Sequence, residues 1–207
     1  MIELFYRPGT AAMAPHIALE EVGAEYRLIP VNRDGVIEPP EFLDVNPHGL
    51  IPAMRIGELK LYESAACLMH IADLYPGAGL APSPGTPERA LYYRWLAYMT
   101  NTVQVGLVTW LYPARVAPPE AEAAVKEKTG ELLAGMRDFL EGELAAGGPY
   151  LLGDGYTGAD VFLFMLTRWG RNLEPKWWDL PALGAHTRRI RERPAVQRVF
   201  EQEGLEG

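Results

Sequence analysis

Residues 77–87 read Gly-Ala-Gly-Leu-Ala-Pro-Ser-Pro-Gly-Thr-Pro, a small, Pro/Gly-rich stretch without a charged side chain. Proline removes backbone donors and glycine resists ordering, so such a segment sustains neither helix nor strand and reads as a linker. It constrains the fold because the patterns on its two sides differ. Before it, short β-branched and aromatic runs alternate with helical ones; after it, the strand signals mostly stop. The organisation expected is a domain over residues 1–76, a linker over 77–87, and a second domain over 88–207.

In the first domain, residues 2–6 (IELFY) form a strand signal that Pro8-Gly9 ends. Residues 12–22 are helix-like with Gly23 as the stop. Pro15 fits only a first helical turn, so the helix begins near 12–14 and Thr10 stays in the loop ahead of it. Residues 26–31 are a second strand, and the intervening crossover implies that the two strands are parallel. A short helix at 38–45 precedes the break Asn46-Pro47-His48-Gly49. Residues 52–56 and 59–62 then pair as a hairpin across Gly57-Glu58, and a helix runs over 64–74. The order β-α-β, β-β-α predicts a thioredoxin-like α/β domain. Beyond the linker, Thr86-Pro87-Glu88 supplies an N-cap, an N1 proline and a first-turn acid. The helix it starts is expected to reach about 112, and 119–145, 157–171, 182–191 and 195–203 complete an all-helical domain.

The formal net charge of −8 argues against nucleic acid as a partner, because phosphate binding needs an electropositive face. The longest strongly apolar stretch, 161–166, is far too short to span a bilayer. Cys67 is the single cysteine, so no intrachain disulfide forms; with an N-terminus unlike a secretory signal, a cytoplasmic location is expected. No His/Cys/Asp/Glu group has metal-ligand spacing, and no glycine loop suits a phosphate.

Three segments carry more specific information. Asn46-Pro47-His48-Gly49-Leu50-Ile51-Pro52-Ala53 leads into the hairpin. Leu61-Tyr62-Glu63-Ser64-Ala65-Ala66 places Glu63 and Ser64 at the N-terminus of the following helix, where free N–H groups favour an anion. Tyr150 to Asp160 reads YLLGDGYTGAD, and Thr157 with Asp160 makes a capping box before an apolar run, worth about 1 kcal/mol. These segments resemble the N-P-x-G-x-[VI]-P, E-S and Y-L-x-G-x-x-x-[ST]-x-A-D motifs of glutathione transferases, in the same order and across the whole chain. The resemblance implies that Pro52 is cis and that the backbone of Ile51 pairs with glutathione. It further implies that Ser64 and Glu63 hold the γ-glutamyl end, Glu63 meeting its α-ammonium.

Residues 5–19 (FYRPGTAAMAPHIAL) resemble the bacterial beta-class branch, which reads Y-x-P-G-A-C-S-L-A-P-H-I-x-L. Ala11 stands at the cysteine position and Ala12 at the serine position, so both side chains that face the glutathione sulfur are absent. The His-Lys pair that follows the helical tryptophan is likewise replaced, with Gln104-Val105 downstream of Trp95; Gln104 remains able to hydrogen-bond the ligand. Thr10 and Tyr6 are the hydroxyls left near the sulfur, and Thr10 with the N–H groups of Ala11 and Ala12 is the candidate thiol activator. His16 and Cys67 are read as packed, structural residues.

The function implied is an enzyme that binds glutathione and promotes attack of its thiolate on a small hydrophobic electrophile, in detoxification. A glutathione-dependent isomerase or peroxidase, a glutathione or ligand carrier with little catalysis, and a module keeping only the fold are the alternatives. By resemblance the protein is a homodimer without a metal.

Overall fold

A computed structural model of the chain describes residues 1–31 and 41–206. The β-branched and aromatic runs at the N-terminus become β1 (Ile2–Tyr6) and β2 (Tyr26–Pro30), parallel to each other, with Ile2 opposite Tyr26 and Phe5 opposite Ile29. Between them lies α1 (Met13–Val22), which starts where Pro15 requires and stops on Gly23 at φ 65°. The short helix expected from 38 is seen as α2 (Phe42–Val45); residues 38–40 lie outside the described residues. The hairpin forms as expected, β3 (Ala53–Ile56) and β4 (Leu59–Tyr62) turning at Gly57, whose φ is 57°. The sheet order is β2-β1-β3-β4, with β3 antiparallel to both neighbours, and α3 (Ser64–Leu74) follows.

One side of this sheet packs Phe5, Ile29, Val31 and Ala53 against Phe42 and Val45 of α2, with the Phe5 and Phe42 rings 5.7 Å apart. Helices α1 and α3 pack together. Seven consecutive residues of α1, Met13 to Leu19, are buried, more than one helical face can supply. The extra cover comes from α9 (Pro194–Glu203), which packs on α1 and pairs Arg193 with Glu21 and Arg198 with Glu20.

One compact unit therefore comprises residues 1–81 and the segment from Arg191 on; the other is Pro82–Ile190. Chain order and packing part company here, since α9 follows the helical unit in sequence and packs with the first. The second unit contains α4 (Pro87–Tyr98), capped by Thr86 as expected. The helix predicted to reach 112 does so through a wider, π-helical turn, Met99–Gln104, into α5 (Val105–Leu111). Then come α6 (Glu122–Gly147), α7 (Gly158–Trp169) and α8 (Pro181–Arg191). The Glu141 carboxylate of α6 caps α8, accepting from Ala182 N–H (2.9 Å) and Leu183 N–H (2.8 Å). Helix α7 is the apolar centre of this unit, buried from Gly158 to Thr167. No helix among the described residues is long and apolar enough to cross a membrane.

Candidate functional site

Sheet register brings the site together. Ala53 is paired with Phe5 on one side and with Tyr62 on the other. One step past that row, three segments leave or enter the sheet at the same end: Tyr6 into the loop 7–12, Ile51-Pro52 into β3, and β4 into Glu63-Ser64. The Ile51–Pro52 bond is cis. Both α1 and α3 begin here, so two sets of first-turn N–H groups are delivered to one edge. They are tied directly, because Ser64 Oγ donates to the Ala11 carbonyl at 2.6 Å.

The turn before α1 is organised by its own hydroxyl. Thr10 Oγ1 donates to Arg7 O at 2.6 Å and accepts from the Ala12 N–H at 3.4 Å, while Met13 N–H donates to Thr10 O at 3.1 Å. Gly9 holds φ 68°, which an L side chain adopts only with strain. Tyr6 packs edge-on against the His16 ring, 6.0 Å between centroids. Burial, with the Glu203 charge adding to it, raises the Tyr6 hydroxyl above the ordinary tyrosine value, so at neutral pH it is a neutral donor.

Glu63 precedes α3 at φ 71°, ψ 119°, and among the described residues it alone combines a side chain with positive φ. Such a conformation costs energy and persists where the surroundings impose it. The residue is solvent-exposed while Ser64 beside it is only 5% exposed. An exposed carboxylate next to a helix N-terminus makes a two-signed edge: the N–H groups favour an anion and Glu63 favours a cation. An α-amino acid carries both charges on one carbon.

The structure thus gathers Tyr6, Thr10, Ile51, Pro52, Glu63 and Ser64 at one end of the sheet. Gln104 belongs to the other unit, as the last residue of the π-helical turn. The sequence reading did not single out Glu203, whose carboxylate accepts the Gly9 N–H at 2.8 Å. One acid among several at the end of α9, with Glu201 and Glu206 beside it, gives no sequence signal for such a contact.

Cys67 is fully buried in α3, and burial, with the Glu63 charge adding to it, pushes its thiol up to about 12. At pH 8 only about one part in ten thousand is thiolate. A disulfide-exchange reagent at that pH is expected to find one thiol in denaturant and none within minutes in the folded protein. Rapid stoichiometric labelling of the native protein would contradict this burial.

The N-terminal domain model of glutathione S-transferase matches residues 2–73, and the C-terminal domain model matches residues 98–194. Glutathione S-transferase GstA of Escherichia coli O157:H7 is 28% identical over 207 residues, covering 99% of this chain and 100% of the relative. The beta-class glutathione S-transferase of Sphingomonas chungbukensis superposes with a TM-score of 0.87 at 31% identity, over 99% of this chain and 100% of the other. A sphingomonad glutathione S-transferase solved with glutathione gives 0.85 at 31%, with the same coverage.

Proposed function

The chain belongs to the glutathione transferase family, and from that premise we propose how it handles glutathione. The enzyme conjugates glutathione to electrophiles. In our reading the γ-glutamyl carboxylate sits on the N–H groups at the start of α3 beside Ser64, its α-ammonium meets Glu63, and the peptide backbone of glutathione pairs with Ile51 ahead of Pro52. The observation that carries this is the single sheet edge where Ile51-Pro52, Glu63-Ser64 and the 7–12 turn converge, with Ser64 bonded across to Ala11.

A free thiol has a pKa of about 8.5, so conjugation near neutral pH needs the thiolate favoured. With Ala11 and Ala12 in place of thiol and hydroxyl side chains, the donors we assign to the sulfur are the Ala11 N–H and the Ala12 N–H, the latter shared with Thr10 Oγ1 at 3.4 Å. Thr10 holds the turn that aims them, its own proton being committed to Arg7 O. Tyr6 is the second hydroxyl within the same edge, and Gln104 is assigned a hydrogen bond to the ligand. The electrophile is small and hydrophobic, and the role is detoxification in the cytoplasm. A homodimer is supported by apolar side chains left exposed on α4 and α6, among them Leu91, Tyr93, Leu132 and Phe139.

Calorimetric titration with glutathione, followed by ultraviolet titration of the bound thiol, tests the reading. Because Cys67 stays protonated through the range, the thiolate absorbance reports the ligand alone. Binding with a thiol pKa well below the free value is expected, raised by Thr10→Val and kept by Thr10→Ser. An unshifted pKa favours the carrier reading, which the committed hydroxyl proton of Thr10 also favours. Absence of binding removes the glutathione site altogether.

A further inference from the structure

We propose that Glu203 is a positioning residue for the glutathione thiol: from α9 its carboxylate fixes the Gly9 amide and His16, and thereby the aim of the Ala11 and Ala12 N–H groups. This rests on the glutathione site proposed above. The Glu203 side chain is wholly buried, as is that of His16. Its Oε2 accepts from Gly9 N–H at 2.8 Å and its Oε1 from His16 Nδ1 at 2.8 Å, so one group grips both the turn and the helix that follows it. The other ring nitrogen of His16, Nε2, lies 2.6 Å from Gln202 Oε1, so adjacent residues of α9 hold both edges of the ring.

Helix α9 does not need this acid to pack. Ala195, Val196, Val199 and Phe200 already bury its apolar face. A carboxylate withdrawn from water is unfavourable unless its oxygens are bonded, and here one bond runs to the turn whose amides the chemistry requires and the other to the helix that follows it. Gly9 is two residues from Ala11, and Thr10 between them is fixed at the other end of the turn by Arg7 O. With Ala11 and Ala12 lacking polar side chains, the direction of two N–H vectors is what this turn can offer a sulfur. Loosening Gly9 therefore acts on the thiol first, and reaches the γ-glutamyl contacts only through the Ser64–Ala11 bond.

The test is the thiol pKa of bound glutathione in the wild type, Glu203→Gln and Glu203→Leu, with amide exchange across 7–13. Glu203→Leu is expected to raise that pKa by about one unit, so about tenfold less thiolate forms below it, at little changed glutathione affinity. Glu203→Gln, which keeps an acceptor for Gly9, recovers more than half of the shift. Exchange at Gly9 to Ala12 speeds up in both variants while α7 is unaffected. If Glu203→Leu does not fold, the Gln variant carries the test, with a smaller rise and faster exchange at Gly9. A thiol pKa equal to the wild type in the folded variants, or exchange accelerated equally throughout, overturns the proposal and leaves Glu203 a packing residue. A wild type that binds glutathione without lowering its thiol pKa, or does not bind it, instead overturns the underlying reading before any variant is compared.

Discussion

Asp160→Ala is expected to cost about 3–5 kcal/mol, several times the value of an ordinary helix cap. At the size of this chain that is a fall of about 10 °C in thermal midpoint, measurable by circular dichroism at 222 nm. The capping box seen in the sequence is present: Thr157 N–H donates to Asp160 Oδ2 at 2.9 Å, and Thr157 Oγ1 accepts from the first turn of α7. The other oxygen does as much again. Oδ1 accepts from Leu151 N–H at 2.8 Å and from His186 Nε2 at 3.1 Å, the latter on α8. Asp160 is wholly buried and His186 nearly so, and among the described residues the second ring nitrogen of His186 has no hydrogen-bond partner, so its bond to Asp160 is what satisfies the ring. Removing the carboxylate strands several buried donors at once. Asp160→Asn, with one oxygen and an amide facing donors, should fall between. A loss under about 3 °C for Asp160→Ala would show that the cap alone matters and that the bonds to Leu151 and His186 add nothing.

Asp160 shows how far the sequence can be read. Thr157 and Asp160 are three residues apart, and a local rule finds them; His186 is 26 residues away and no local rule does. The same division runs through the fold. Strands β1 to β4 are legible because each apolar run is short and bounded by Gly or Pro, and Pro15 fixes the start of α1. The π-helical turn at Met99–Gln104 has no proline or glycine to announce it. Its one local hint is Thr100, whose hydroxyl bonds back to Leu96 O and Ala97 O. Amphipathicity says that α9 buries a face, but not that α1 covers it. In the site, Ile51-Pro52 and Glu63-Ser64 are singled out by their resemblance to family motifs, and strand ends then bring them to one edge. The acceptor of the Thr10 proton is a backbone carbonyl, invisible in side-chain patterns, and Glu203 reaches Gly9 across 194 residues.

Glu63 offers the sharpest separation of function from folding. Glu63→Gly is expected to raise the thermal midpoint, or hold it level, while weakening glutathione binding by at least about tenfold, the loss of one charge-assisted contact. The two effects have different origins. At φ 71° the glutamate backbone is strained, and glycine adopts that conformation without a Cβ penalty, offset partly by its greater freedom when unfolded. The exposed side chain has no capping bond of its own to α3, so its removal strands nothing in the fold. The Glu63 carbonyl starts α3 by accepting the Cys67 N–H at 3.0 Å, as a glycine carbonyl there also would; its side chain makes no capping bond, and the role we propose for its charge is to meet a ligand's α-ammonium beside the α3 N–H groups. Glu63→Gln separates charge from shape: it keeps the strain and the length, so the midpoint should not move while affinity still drops. Calorimetric titration beside thermal unfolding of the two variants reads both quantities. If Glu63→Gly lowers stability and spares glutathione affinity, the strained glutamate serves the fold, and the α-ammonium contact assigned to it is wrong.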